Sequence, residues 1–335
     1  MKIVHWVHFD PKQWSGMYQR AIEIRDAEIR LGVTSGFVDP GIMFRKGYKL
    51  EGIEVFPLEW AKDADVHVIE SHTPAQFGEL KHTVFLAHGG PKYCMDGLFK
   101  GEDESFIPSV QMMQMCDMTI VQNIEYKKFW EEFAPGKIYH VRGGVDLKRW
   151  SPNGESAELF ATRPAIVYMD MWRRMKLPTT LIFAMKRVVE KVPSARLNLL
   201  NIPNNQVVFW TRFLCKLNAD WYVEQFRPGR ITKPDMVYRS ADILVDPCEG
   251  GSNSGVGAEA LACGCPVVFL KGNPDTHGSA KCQDDPDDMA AAILDILKMN
   301  KTDAKVEARQ LAETYYDVDR MVNEMLDLYE EVLVE

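Results

Sequence analysis

The sequence predicts an α/β protein built from two doubly wound domains, and three observations support this prediction. Short apolar runs rich in Val and Ile alternate with amphipathic stretches of helical period along the chain. The apolar runs rarely alternate strictly with polar residues, which is typical of strands buried on both faces of a parallel sheet. Two successive series of this kind, in a chain of 335 residues, indicate two domains.

The first series extends from the N-terminus to Gly143-Gly144. Its first helix is predicted from apolar residues that recur on one helical face and end before Gly32, namely Met17, Ala21, Ile24, Ala27 and Leu31. Its predicted strands are Lys2–Val7, Ser35–Val38, His67–Glu70, Thr83–Ala87, Met118–Val121 and Lys137–Val141.

The second series follows a stretch rich in Gly and Pro between residues 143 and 155, where we place the domain boundary. Its predicted strands are Ala165–Met169, Arg196–Leu200, Trp221–Phe226, Ile243–Val245 and Pro266–Leu270. The predicted domains are therefore 1–145 and 146–317. An amphipathic terminal helix over 318–335 packs either on the first domain or on its own domain, and its apolar stripe is Val322, Met325, Leu326, Tyr329, Val332 and Leu333.

Composition argues against several classes of protein. Lys and Arg total 39 against 48 Asp and Glu, a net charge of −9, which disfavours a general nucleic-acid binder. The N-terminus lacks the apolar core of a signal peptide, and no stretch reaches the roughly 20 apolar residues of a membrane span. Seven scattered Cys indicate free thiols in a reducing compartment. We expect a cytoplasmic protein, either free or peripheral at a membrane.

The segment from Ile243 to Val268 carries the clearest chemistry. It is predicted to form a strand, a Gly-rich loop, a helix that stops at Gly264, and another strand. Ligands of open α/β sheets bind beyond the carboxyl ends of the strands, where this loop lies. The loop residues suited to contact a phosphate or a sugar closely are Gly250, Gly251, Ser252, Asn253 and Ser254. Glu249 and Glu259 bracket the loop and can accept hydrogen bonds from sugar hydroxyls.

This segment resembles the donor site of glycosyltransferase family 4, the glycosyl transferases of group 1, which have the GT-B fold. In that family a Glu, a Gly/Ser-rich loop and a second Glu precede a helix ending in Ala-Cys-Gly-x-Pro-Val-Val. Here nine residues separate Glu249 from Glu259, where the family has seven. Weaker resemblances follow in the same order as in the family, and they are Ser15-Gly16, Thr83–His88, Val141–Asp146 with Trp150-Ser-Pro152, and Ala165–Lys176.

The resemblance implies an architecture and an activity. The architecture is GT-B, two Rossmann-like domains facing a central cleft. The activity is transfer of a hexose from a UDP- or GDP-linked donor to an acceptor hydroxyl, with retention of configuration and with neither metal nor cofactor. The acceptor stays open between a glycan, a lipid-linked sugar, a protein and a modified nucleic acid, and the oligomeric state is also open.

The same resemblance assigns roles to single residues. Lys176 would neutralise the donor diphosphate together with Arg173 or Arg174, because Met171 occupies the position of the family's Arg. Preorganised cations of this kind stabilise a departing diphosphate without a metal. Glu259 would bind the nucleotide ribose and Glu249 the hydroxyls of the donor sugar. His88 would contact that sugar, and Gly16 would belong to the loop after the first strand.

Two acidic clusters are interpreted as structural. Asp63-Ala-Asp65 precedes a strand instead of ending one, which indicates a surface turn, and the acidic residues of 284–288 indicate a helix N-cap. We therefore predict no metal site. Two alternatives to a transferase stay open: a nucleotide-sugar epimerase on the same fold, and a degenerate module that binds a sugar nucleotide or a glycan without catalysis.

Overall fold

The computed structural model describes residues 1–8, 16–40, 48–50, 52–70, 80–88, 106–156, 159–170, 172, 176, 178–248, 255–272 and 275–334. Contacts between Cα atoms divide the chain into two compact units. Unit 1 comprises Met1–Asp146 and Asp317–Glu335, and unit 2 comprises Leu147–Tyr316.

Unit 1 contains one eight-stranded sheet with the order β3-β4-β2-β1-β5-β6-β7-β8. The strands are β1 (Lys2–Trp6), β2 (Thr34–Val38), β3 (Tyr48–Leu50), β4 (Ile53–Phe56), β5 (Val66–Ile69), β6 (Thr83–Ala87), β7 (Met118–Val121) and β8 (Ile138–His140). All strand pairs are parallel except β3 with β4. The helices are α1 (Gly16–Arg30), α2 (Phe106–Met115), α3 (Ile124–Trp130) and α10 (Val318–Val334).

Helix α1 follows its predicted apolar face only in part. Ala21, Ile24 and Ala27 are fully buried, as the spacing predicts. Leu31, in contrast, is 37% exposed. The physical reason is that the helix ends at Arg30, so Leu31 leaves the face that packs on the sheet.

Helix α10 belongs to the core of unit 1. Met325 and Tyr329 of this helix are fully buried and pack with residues of β1, α1 and β5, such as Ile3 and Ile24. At its start, Val145 and Asp317 form an isolated parallel bridge. The terminal helix therefore completes the core that the first 146 residues begin, because its apolar stripe covers one face of that sheet.

Unit 2 contains one parallel six-stranded sheet with the order β11-β10-β9-β12-β13-β14. The strands are β9 (Ala165–Tyr168), β10 (Arg196–Ile202), β11 (Val223–Pro228), β12 (Ile243–Asp246), β13 (Val267–Leu270) and β14 (Ala280–Cys282). The helices are α4 (Thr179–Lys191), α5 (Val207–Lys216), α6 (Pro234–Ser240), α7 (Gly255–Ala262), α8 (Pro286–Lys298) and α9 (Lys301–Tyr315).

The strand order of unit 2 reverses between β9 and β12. From β9 the chain proceeds outward through β10 and β11, and then returns to add β12, β13 and β14 on the other side. At such a switch point the connections leave the sheet on opposite faces, which opens a crevice at the carboxyl ends of the two central strands. The crevice of unit 2 is therefore bordered by the residues that follow β9 and β12.

The two parallel sheets confirm the predicted doubly wound α/β class, and the differences are local. The sequence analysis did not predict the β3–β4 hairpin, β14 or the helices α2, α3, α6 and α9. Strand β11 begins at Val223, and Trp221, expected inside it, is 56% exposed. The aromatic helix α5 is half-buried, with Trp210 buried and Phe209 exposed.

We predict that Gly144→Ala destabilises unit 1. A Cβ at Gly144 would lie 2.6 Å from the Cα of Val318 and 2.7 Å from the carbonyl oxygen of Asp317, so the start of α10 would have to move. Overpacking against backbone costs about 1–3 kcal/mol. Chemical denaturation followed by circular dichroism measures the loss. Val306→Ala, at a half-exposed site on α9, is the control and should change stability by less than about 0.5 kcal/mol. Equal effects of the two substitutions would contradict the prediction.

Candidate functional site

Acidic residues lie at the carboxyl ends of both central strands of unit 2. Asp170 follows β9 and is 3% exposed, and Asp246 ends β12 and is 1% exposed. Cys248, two residues further along, donates its backbone N–H to Oδ1 of Asp246 over 3.3 Å. Buried carboxylates are rare without cationic or hydrogen-bonding partners, so these positions require a compensating charge.

Lys176 supplies that charge. Its Nζ lies 2.7 Å from Oδ2 of Asp170, and 21% of its side chain is exposed. Its backbone carbonyl accepts a 2.5 Å hydrogen bond from the hydroxyl of buried Tyr168, so both ends of the residue are held. Burial alone would lower the pKa of Lys176, but the charges of Asp170, Cys248 and Asp246 outweigh it and raise the pKa well above its usual value. Lys176 is a fixed, permanently charged ammonium at the crevice.

Glu259 lies on α7, which follows β12. Its Oε2 accepts a 2.9 Å hydrogen bond from the hydroxyl of Tyr238 on α6. Burial raises the pKa of Tyr238 well above its usual value, and the charges of Glu259 and Asp170 add to this effect. Tyr238 therefore stays a donor. The charge of Asp170 contributes to the raised pKa of both Lys176 and Tyr238.

The absence of a side chain at Gly257 allows α7 to pack closely against β13. A Cβ at Gly257 would lie 2.3 Å from the ring of Phe269 on β13 and 3.2 Å from Oδ2 of Asp246, so no larger residue fits there without a shift. Gly264 ends the helix with φ +75°, and the N–H of Cys265 bonds to the carbonyl of Ala260 over 2.9 Å. The expected Gly stop is confirmed. Gly257 serves the packing of the helix on the sheet.

The other predicted residues of the donor site lie outside the described residues, so their roles stay predictions. They are Arg173, Arg174, Glu249, Gly250, Gly251, Ser252, Asn253 and Ser254. Gly16, the remaining predicted donor contact, is the first residue of α1 in unit 1.

His88 lies in unit 1, directly after β6. Its Nε2 is 2.9 Å from Oε2 of Glu70, and 16% of its side chain is exposed. Glu70 follows the neighbouring strand β5, and its carboxyl group is fully buried. The His88 ring is thus held against a buried carboxylate at the carboxyl edge of the unit 1 sheet.

A second buried histidine holds the same carboxylate. His5 of β1 places Nδ1 2.6 Å from Oε1 of Glu70 and Nε2 2.8 Å from Oε2 of Glu28 on α1. Burial disfavours the charged ring, but Glu28 and Glu70 outweigh it and raise the pKa of His5 to about 10. Burial likewise opposes ionisation of Glu70, yet the hydrogen bonds from His5 and His88 lower its pKa to about 2. Ser35 donates a further 2.5 Å hydrogen bond to Oε2 of Glu28.

The acidic clusters judged structural from the sequence have structural roles. Asp63 is exposed and pairs with Lys2, and Asp65 accepts the backbone N–H of Lys2 before β5 begins. Asp285 caps α8 by accepting hydrogen bonds from the N–H groups of Asp287 and Asp288 over 2.9 and 3.0 Å. Among the described residues, no group of three or more His, Cys, Asp or Glu could hold a metal ion. No helix in that part of the chain is long and apolar enough to cross a membrane.

Sequence reasoning missed the residues that hold the predicted ones in place. Asp170 and Tyr238 were not singled out in unit 2, and neither were Glu70, His5 and Glu28 in unit 1. The position of Asp170 and Glu70 at strand ends was a usable signal, because ligand sites gather there. Nothing in the sequence pairs His5 with Glu28 or Tyr238 with Glu259, since those contacts join different elements.

Part of unit 2 is similar to a known family of proteins. Residues 164–299 match the family Glycosyl transferases group 1. Over 183 residues the chain is 28% identical to "D-inositol 3-phosphate glycosyltransferase 2" of Catenulispora acidiphila, covering 49% of this chain and 43% of that protein. The chain spans about half the length of the curated relatives it matches.

Two solved structures share the fold over essentially the whole chain. Sucrose-phosphate synthase from Thermosynechococcus elongatus has a TM-score of 0.77 at 15% identity and full coverage of both chains. Anabaena HepE, solved in complex with UDP and glucose, has a TM-score of 0.74 at 13% identity, covering 99% of this chain and 100% of that chain. These findings confirm the glycosyltransferase resemblance and the GT-B fold class predicted from the sequence.

We predict that the contacts of His5 with Glu28 and Glu70 make the free energy of unfolding depend on pH above neutrality. The pKa of His5 rises from 6.5 to about 10 on folding, so its contribution is complete below pH 6.5 and is lost as the pH rises through 10. Glu70 contributes above pH 4.5 and loses its contribution as the pH falls through about 2. His5→Gln should lower the free energy of unfolding by about 3–5 kcal/mol near pH 6, because it leaves buried carboxylates without their cation.

The test is urea denaturation of the wild type and His5→Gln between pH 5.5 and 10. The difference between them should shrink steadily above pH 6.5. Glu307→Gln, on the exposed face of α9, is the control. A difference that stays constant to pH 10 would show that His5 is not charged in the folded protein.

Proposed function

We propose that this chain, a member of the group 1 glycosyltransferases, transfers a hexose from a UDP-linked donor to a hydroxyl group of an acceptor. The observation that carries this proposal is a pair of side chains held in place after the two central strands of unit 2. Lys176, after β9, is held by Asp170, and Glu259, on the helix after β12, is held by Tyr238. All four residues lie within the stretch that matches the family.

Lys176 is suited to neutralise the diphosphate of the donor. An ammonium group carries three N–H donors, and Asp170 accepts from one of them, so two can face phosphate oxygens. Asp170 keeps the amine charged and oriented before the donor binds. Preorganised charge of this kind stabilises the negative charge that develops on the departing diphosphate, without reorganisation during the reaction.

Glu259 is suited to hold the nucleotide ribose. Its carboxylate has two oxygens, and the hydrogen bond from Tyr238 fixes one of them. Carboxylates accept strong hydrogen bonds from paired sugar hydroxyls. UDP is favoured as the nucleotide because HepE, which shares the fold, was solved with UDP and glucose.

Retention and independence of metal are further parts of the proposal, and retention comes from the resemblance to family 4. Fixed cations take the place of a divalent ion at the diphosphate, and the leaving phosphate itself can deprotonate the acceptor hydroxyl on the same face of the sugar. In unit 1, His88 is the residue that the same resemblance assigns to the donor sugar. The acceptor is a glycan, a lipid-linked sugar, a protein or a modified nucleic acid, each offering a hydroxyl nucleophile.

We predict that Lys176→Met lowers kcat about 10²- to 10³-fold, the range for loss of one preorganised charge at a reacting group. Affinity for UDP should also fall, because the diphosphate loses a contact. Lys298→Met is the matched control. Lys298 forms an ion pair with Asp295 at the same distance of 2.7 Å, but on the surface, with 75% of its side chain exposed. Equal activity of Lys176→Met and the control would refute the role of Lys176.

A panel of UDP-, GDP-, ADP- and dTDP-sugars, read by thermal shift and nucleotide release, tests the donor. We expect UDP-hexoses to stabilise the protein most and to release UDP, with an α-linked donor yielding an α-linked product by NMR. Epimerised donor in the absence of acceptor would favour an epimerase, and binding without turnover would favour a binding module. Loss of activity in EDTA that Mn²⁺ restores would overturn the absence of a metal.

A further inference from the structure

We propose that Glu70 is a positioning residue for His88, and that it fixes the ring as the Nε2–H tautomer so that Nδ1 accepts a hydrogen bond from a hydroxyl of the donor sugar. The inference rests on the proposed function for the identity of the ligand. The assignment of the tautomer itself depends only on the contacts within unit 1.

The tautomer follows from which groups can donate. Glu70 is ionised, because its pKa lies near 2, and an ionised carboxylate only accepts hydrogen bonds. The contact of 2.9 Å between Nε2 of His88 and Oε2 of Glu70 therefore requires a proton on Nε2. In a neutral ring the other nitrogen, Nδ1, then carries the lone pair and is the acceptor.

Glu70 can do this because its own position is fixed. Its Oε1 accepts from Nδ1 of His5 over 2.6 Å, which leaves Oε2 for His88. His5 in turn donates from Nε2 to Glu28 over 2.8 Å. Both ring nitrogens of His5 face carboxylates, so His5 is an imidazolium and cannot reverse the direction of the hydrogen bonds.

The groups around this chain of contacts come from six elements of unit 1. His5 lies on β1, Glu70 and His88 follow β5 and β6, and these three strands are adjacent in the sheet. From β2, Ser35 donates to Glu28 of α1. From α10, the fully buried Tyr329 lies within electrostatic reach of Glu28 and Glu70, which raise the pKa of its phenol together with burial. Tyr329 therefore stays protonated, and Glu28 and Glu70 are the anions that face His5.

The net charge of the buried set and the exposure of its members both indicate that His88 is the residue that meets a ligand. Two carboxylates oppose one imidazolium, so the set of His5, Glu28 and Glu70 retains one negative charge, which favours the N–H of His88 facing Glu70. Buried ion pairs are often no more stabilising than apolar side chains of the same volume, so stability alone does not require this set. Of the residues joined by these hydrogen bonds, His88 is the one with a partly exposed side chain, at 16%. Its Nδ1 is the group that the set prepares for a ligand.

Glu70→Gln separates a positioning role from a structural one. The glutamine oxygen would accept from His5, and its amide would then donate to Nε2 of His88, which moves the His88 proton to Nδ1. ¹⁵N NMR of histidine-labelled protein reports the tautomer directly and needs no substrate. We expect Nε2–H in the wild type and Nδ1–H in Glu70→Gln. An Nδ1–H ring in the wild type, or no change in the variant, would overturn the proposal.

Kinetics with a UDP-hexose test the consequence. Glu70→Gln should lower kcat/KM about 10- to 100-fold, the range seen when the group that orients a histidine is replaced. In a His88→Ala background the same substitution should have no further effect, because the residue it positions is gone. A further loss there would indicate a merely structural role. Glu307→Gln, on the exposed face of α9, is the control and should match the wild type.

The NMR and kinetic tests distinguish failure of this proposal from failure of the proposed function. An inverted tautomer without turnover of any donor would keep Glu70 as a positioning residue and reject the transferase. An unchanged tautomer in a variant that still turns over a donor would reject Glu70 as a positioning residue and keep the transferase. If Glu70→Gln does not fold, Glu70→Asp replaces it. Its carboxylate is one methylene shorter, so part of the Nε2–H preference should be lost, and an unchanged tautomer ratio would overturn the proposal.

Discussion

Both units depend on the same constraint, which is that a carboxylate buried at the end of a parallel strand needs a positive or hydrogen-bonding partner. In unit 2 the partner of Asp170 is Lys176, and in unit 1 the partners of Glu70 are His5 and His88. An unpaired buried charge would cost several kcal/mol. The strands thus determine where the carboxylates lie, and the carboxylates determine which side chains must approach them.

Because of this constraint, side chains that would otherwise be mobile are held in one orientation. A surface lysine is a mobile point charge, whereas Lys176 is held at its amine by Asp170 and at its carbonyl by Tyr168. A histidine after a strand can take either tautomer, whereas His88 faces a carboxylate that only accepts. Orientation before binding lowers the entropic and solvation costs of reaching a transition state, which is why such supporting groups matter to function as much as those that touch a ligand.

The sequence also differs in two places from the family that its donor segment resembles. Met171 stands at the position of the usual Arg, and two further residues separate Glu249 from Glu259. Asp170 gives Lys176 a carboxylate of its own, so the charge of the ammonium group is already partly balanced. An anionic ligand at this position would therefore have to compete with, or share, that ion pair.

The sequence alone determined the class of fold, most strand positions, the Gly264 helix stop and the segment that resembles a donor site, because these depend on local periodicity and on turn chemistry within a few residues. The contacts between Tyr238 and Glu259, between His5 and Glu28, and between Glu70 and His88 were decided only by the tertiary structure. Each joins side chains from separate elements, and their distances depend on how strands are ordered in a sheet. The local sequence pattern carries no information on the order of the strands, whereas the hydrogen bonds of 2.6–2.9 Å between these side chains depend on that order entirely.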